Sequence, residues 1–103
     1  MTLVQKPLFR KVYKKLHPEI KEIVDKAVRD IVQNPNLGES KKGDLAGLYV
    51  YKFKVHQQEK LLAYFWNKTQ MILVNLGTHE NFYRDLKKTF TLITHLYLFT
   101  QRF

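Results

Sequence analysis

Leu48-Tyr49-Val50-Tyr51-Lys52-Phe53-Lys54-Val55 is the stretch that decides the fold. Its residues repeat with a period of two, as a strand requires. Tyr49, Tyr51, Phe53 and Val55 would leave one side, and Leu48, Val50, Lys52 and Lys54 the other. Downstream, residues 61–66 are continuously apolar, as expected of a central strand covered on both sides. Residues 70–76 read as a third strand, which Gly77 ends. The turns between them are His56-Gln57-Gln58-Glu59 and Asn67-Lys68-Thr69. Strands joined in this way predict an antiparallel meander.

Upstream the period changes to that of a helix. A short extended start at residues 2–5 precedes Pro7, which suits a first helical turn because its missing N–H has no partner there. Leu8, Val12 and Leu16 recur every four residues, with Phe9 and Tyr13 beside them. The other side carries Arg10, Lys11, Lys14 and Lys15, and no acid appears before Glu19. His17-Pro18 breaks this helix, since a residue before proline avoids the helical region. A second helix from Pro18 to Gln33 has a stripe of Ile20, Ile23, Val24, Ala27, Val28, Ile31 and Val32. Glu19 and Glu22 suit its dipole, and Asn34-Pro35-Asn36 stops it. The predicted architecture is α+β, a helical hairpin packed on a small antiparallel sheet.

Residues 34–47 hold three of the four glycines and read as a loop exposing Lys41 and Lys42. Residues 80–88 read as a short C-terminal helix. Residues 89–103 are apolar without a clean period, which implies that they pack on this chain or on a partner. The expected division is a domain at 1–88 and a tail at 89–103.

Composition narrows the function. Among 103 residues, 45% are hydrophobic and 14% aromatic, which fits one folded domain with a modest core. Eighteen Lys and Arg against nine Asp and Glu give a formal charge of +9, which points to a polyanionic partner. There is no cysteine, hence no disulfide framework and no thiolate metal site. Four scattered histidines make no ligand set, and no nucleotide-binding or cofactor motif is present. No apolar run reaches the roughly 18 residues of a spanning helix, and no signal peptide opens the chain. A soluble, cytoplasmic protein that binds no membrane is the expectation.

Gly77-Thr78-His79-Glu80-Asn81-Phe82-Tyr83 carries the chemistry. Histidine as a residue type can give or take a proton near neutral pH, and His79 stands just past the expected strand end. Tyr83 falls one helical turn further on, and Phe82 reads as packing. Lys52 and Lys54 leave one side of a strand about 7 Å apart. Such like charges repel unless an anion sits between them, and a phosphate would do so. His56, Lys41 and Lys42 are further candidates for substrate contact.

The order of these elements resembles the RelE/ParE superfamily of bacterial type II toxins over residues 2–88. The likeness is carried by the two-helix start, the Asn34-Pro35 exit, the Leu45 to Lys54 segment, the apolar strands and the Gly77 to Leu86 motif. The resemblance implies a RelE-like fold, no cofactor and an acidic antitoxin as partner. Lys52 and Lys54 match the paired lysines of RelE-type strands, and His79 with Tyr83 is similar to the YafQ-type carboxyl-terminal site. RelE- and YafQ-type members cleave mRNA on the ribosome by attack of the ribose 2′-OH, without a metal. Carried over, His79 would be the acid or base, Tyr83 would position the nucleotide, and the lysines would steady the phosphorane. RelE-type enzymes have an arginine where this chain reads Lys60-Leu61-Leu62. Lys60 is the candidate substitute, a point charge without the bidentate fork of arginine. ParE-type members instead poison DNA gyrase. The expected function is a ribosome-dependent endoribonuclease; the alternatives are a gyrase poison and a non-toxic nucleic-acid-binding module.

Overall fold

The computed structural model describes residues 1–78 and Phe82. Its elements in chain order are β1 (Thr2–Gln5), α1 (Pro7–Lys14), α2 (Pro18–Gln33), β2 (Glu39–Ser40), β3 (Tyr49–Val55), β4 (Gln58–Trp66) and β5 (Gln70–Gly77). Single turns of 3-10 helix at Pro35–Leu37 and Gly43–Leu45 flank β2. The expected C-terminal helix at 80–88 and the tail at 89–103 fall outside the described residues.

Both helices begin with proline in the first turn. There its fixed φ is already helical and no intrahelical N–H is lost. Neither has a side-chain cap at its start. Helix α1 buries Phe9, and α2 buries Val24, Ala27 and Ile31. The two helices are tied by side chains. Tyr13 donates its hydroxyl hydrogen to Asp25 Oδ1 at 2.8 Å, and the Lys21 ammonium lies 5.4 Å from the Tyr13 ring centre. The hydrogen bond to Asp25 is the main cause that raises the Tyr13 pKa, with desolvation second.

The sheet corrects the expected three-stranded meander. It has five strands in the order β1-β5-β4-β3-β2, and β1 runs parallel to β5 with Thr2 opposite Gln70 and Gln5 opposite Leu73. Main-chain bonds from Thr2 to Thr69 (2.8 Å) and from Lys6 to Leu73 (2.9 Å) hold β1 at both ends. The residues read as a loop also contribute: Glu39 and Ser40 pair with Val50 and Tyr49. The β3-β4-β5 meander stands as expected, antiparallel throughout.

Two apolar layers result, one on each side of the sheet. On the helix side Phe9, Val24, Ala27 and Ile31 meet Leu62, Tyr64, Met71, Leu73 and Leu76. On the other side Leu45, Leu48, Val50, Leu61, Ala63, Val74 and Phe82 pack together. Residues Leu61, Leu62, Ala63 and Tyr64 of β4 are all fully buried, as a central strand requires. A bulge in β5 adjusts the pattern. Ala63 pairs with Asn75 and Tyr64 with Leu73, so Val74 has no partner and joins the far layer.

Tyr64 ties the sheet to the chain leaving α2. Its hydroxyl donates to the Pro35 carbonyl at 2.6 Å and accepts from the Gly38 N–H at 2.9 Å. Burial is the main cause pushing the Tyr64 phenol above its ordinary value. In the β4–β5 turn, Asn67 Oδ1 accepts from the main-chain N–H groups of Thr69 and Gln70, each at 2.9 Å. One side chain thereby reinforces the main-chain bond from the Asn67 N–H to the Gln70 carbonyl at 2.9 Å.

The β3–β4 turn is tighter than the four-residue turn expected. Val55 pairs with Gln58, leaving only His56 and Gln57 between the strands, at φ 49° and 69°. Positive φ at both central residues is the type I′ geometry that matches strand twist and favours Asn-Gly. His56→Asn with Gln57→Gly is expected to raise stability by about 1 kcal/mol, because the left-handed conformation costs a side-chain-bearing residue about that much. Thermal unfolding would show it as a melting point several degrees higher.

Candidate functional site

Alternation along β3 puts Lys52 and Lys54 on the side of the sheet away from the helices. Tyr49, Tyr51 and Phe53 pack towards the helices, whereas Leu48 and Val50 lie in the far layer. Lys52 and Lys54 share the parity of Val50, and both are exposed. Their Cα atoms thus stand about 7 Å apart on one strand.

The register decides which neighbours share that side. Residues directly opposite in an antiparallel pair project together. Leu61 is opposite Lys52 and Glu59 is opposite Lys54. Lys60 is opposite Phe53, so it leaves on the helix side, away from both lysines. The structure therefore does not bring Lys60 to Lys52 and Lys54. The place that faces Lys52 on the central strand belongs to Leu61, which is fully buried.

The other candidates are dispersed. His56 is exposed at the tip of the β3–β4 turn. Lys41 reaches Glu39 with Nζ 3.4 Å from Oε2, and Lys42 is exposed beside it. Both follow β2, at the edge of the sheet next to β3. His79 and Tyr83 lie outside the described residues. Phe82 does what the sequence suggested. It is buried against Leu45, Leu48, Val50, Leu61, Ala63 and Val74, on the same side as the lysines.

Asn75 was not singled out by sequence. It is the buried polar residue among the described residues, at 4% exposure. It stands opposite Ala63, and its Oδ1 accepts from the Leu76 N–H at 2.8 Å. An asparagine inside an apolar strand was the available signal; the bulge beside it was not visible. Among the described residues no cluster of His, Asp and Glu could hold a metal ion. No helix of these residues is long and apolar enough to cross a membrane.

Solved structures with this fold come from several bacteria. The chain is similar to the toxin–antitoxin complex RelBE of E. coli (TM-score 0.61, 18% identity, covering 77% of this chain and 96% of that one). It is similar to the YoeB/ParE toxin from Agrobacterium tumefaciens (TM-score 0.65, 19% identity, 77% and 99% covered). A third is the RelBE2 complex of Mycobacterium tuberculosis (TM-score 0.62, 21% identity, 76% and 96% covered). At these identities the likeness establishes the fold. No curated protein sequence matches the chain. Residues 3–87 match the family described as ParE-like toxin of type II bacterial toxin-antitoxin system, which takes in every described strand and helix but the first residue of β1. The chain therefore belongs to the ParE-like toxins of bacterial type II toxin–antitoxin systems, within the RelE/ParE superfamily.

Proposed function

We propose that this toxin is a ribosome-dependent endoribonuclease whose reaction takes place against the lysine side of the sheet. The observation that carries the proposal is the exposed Lys52–Lys54 pair on the side opposite the helices, where Lys52 faces the apolar Leu61 and Lys54 faces Glu59 across the hairpin. In sequence only Thr78 separates His79 from Gly77, the last residue of β5. In the proposed reaction the ribose 2′-oxygen forms a bond to the adjacent phosphorus and the bond to the 5′-oxygen breaks. His79 handles one of the two protons, taking that of the 2′-OH or supplying that of the leaving 5′-oxygen, and water takes or supplies the other. Tyr83 positions the nucleotide. Lys52 and Lys54 stabilise the extra negative charge on the five-coordinate phosphorus. The cognate antitoxin is proposed as an acidic segment that folds on binding.

A second reading is favoured by Leu61. The residue facing Lys52 across the hairpin is apolar, and Lys60 is turned to the helix side. That arrangement suits a toxin that binds DNA gyrase and does no phosphoryl chemistry.

Mapping of mRNA ends in a translation extract separates the two. Cuts within A-site codons by the wild-type toxin, lost in His79→Ala while antitoxin binding persists, are expected. Intact mRNA together with gyrase-dependent DNA breaks would replace the nuclease by the gyrase reading.

A further inference from the structure

We infer that the exposed face of α1 is a second nucleic-acid surface, which grips the phosphate backbone of a structured RNA duplex apart from the lysine pair. The inference rests on the proposal that the target is an RNA assembly, but not on cleavage.

Arg10, Lys11, Lys14 and Lys15 are all exposed, and among the described residues no ion pair involves them. Arg10 with Lys14, and Lys11 with Lys15, are spaced by four, so each pair stands about 6 Å apart along the helix. Like charges at that spacing destabilise a helix. The first turn of α1 holds no acidic residue to offset them. Exposed Lys6, just before the helix, extends the patch.

The kind of partner follows from what the patch lacks. Phe9 is buried, while Leu8, Val12 and Tyr13 are half-buried; Phe9, Val12 and Tyr13 belong to the core beneath. The exposed large apolar side chains among the described residues are Met1, Leu3 and Leu37, none of them on α1. A protein partner, including an acidic segment that folds on binding, needs apolar anchors at the centre of its interface. A phosphate backbone needs none, because its binding is driven by release of condensed counterions.

Position makes the surface separate. Helix α1 lies on the helix side over β5, whereas Lys52 and Lys54 leave the opposite side from β3. One strand cannot cover both without rounding an edge of the sheet. Two weak contacts on one rigid body act together through effective concentration. The α1 face would hold the assembly while the lysine pair meets the strand to be cut.

The test is anisotropy of a short labelled RNA duplex over a salt series, with no ribosome present. The comparison is wild type against the variant carrying Arg10→Ala, Lys11→Ala, Lys14→Ala and Lys15→Ala. The variant is expected to bind ten- to a hundredfold more weakly, with the log–log salt slope reduced by about three. Lys11→Arg with Lys14→Arg and Lys15→Arg should keep both affinity and slope, which controls for folding. An unchanged slope in the alanine variant would overturn the proposal. So would unchanged duplex binding accompanied by loss of the acidic antitoxin, which would make α1 a protein-binding face. Neither outcome depends on whether the toxin cleaves mRNA.

Discussion

On the proposed nuclease reading, Lys52→Ala with Lys54→Ala is expected to reduce mRNA cleavage by at least about a thousandfold while leaving the fold intact. Removing one group that stabilises developing transition-state charge typically costs a hundred- to a thousandfold in rate, and here both would go. Both side chains are exposed and neither belongs to either apolar layer, so folding does not depend on them. Loss of two adjacent like charges relieves repulsion while Lys54 gives up its place opposite Glu59, so the melting point should stay nearly level. Single-turnover cleavage of ribosome-bound mRNA gives the rate, and circular dichroism checks the fold. A double variant that still cleaves at the wild-type rate would remove the lysine pair from the mechanism. If the toxin retains toxicity without cutting mRNA, the gyrase reading gains.

Gly38→Ala is expected to be the most damaging small substitution in the described chain. A Cβ built there would sit 2.5 Å from the Tyr64 hydroxyl oxygen, 2.9 Å from Cε1 and 3.0 Å from Cζ. The ring cannot retreat, because Tyr64 is fully buried at the centre of the sheet and stacked on Tyr49 at 5.7 Å. Moving it breaks the bonds to Pro35 and Gly38 and strands buried polar groups. Overpacking and lost hydrogen bonds together suggest about 3 kcal/mol, or a melting point lower by roughly 15 °C. Tyr64→Phe alone should cost about 1–2 kcal/mol, since it leaves the Pro35 carbonyl and the Gly38 N–H without their partner. In the phenylalanine background the alanine should cost less than in the wild type, as the hydroxyl contact is gone and the ring-carbon contacts remain. Equal costs in the two backgrounds would show that the hydroxyl is not the obstacle.

Much of the scaffold was legible because its signals are periodic. The stripe on α2, the alternation on β3 and the apolar run of β4 each identify their element from a handful of side chains. Alternation also gave the shared side of Lys52 and Lys54. What stayed hidden depends on pairings between distant residues. Four residues at the start carry no mark of a parallel partner, so β1 read as merely extended. Glu39 and Ser40 have no strand-like composition, and only the edge of β3 makes them a strand. The side on which Lys60 leaves depends on a two-residue turn built from His56 and Gln57, which lack the glycine that would have announced it. The placement of Asn75 follows from the bulge at Val74, a one-residue offset that no local pattern encodes.

The parallel pairing of β1 with β5 also bears on when this toxin can become harmful. The strand made first must wait for the last strand of the sheet, since Thr2 meets Gln70. β4, in the middle, likewise needs β5 as a neighbour. Contacts so remote in sequence form late, because a long loop must close before they give any return. On a chain still being synthesised, the helices, the β3–β4 hairpin and the β2 edge can form, but β1 and the free side of β4 lack their partner until residue 77 has cleared the exit tunnel. Assembly of the complete sheet is thereby deferred until β5 has been made. A co-expressed antitoxin thereby gains an interval in which to meet the chain before its sheet is complete.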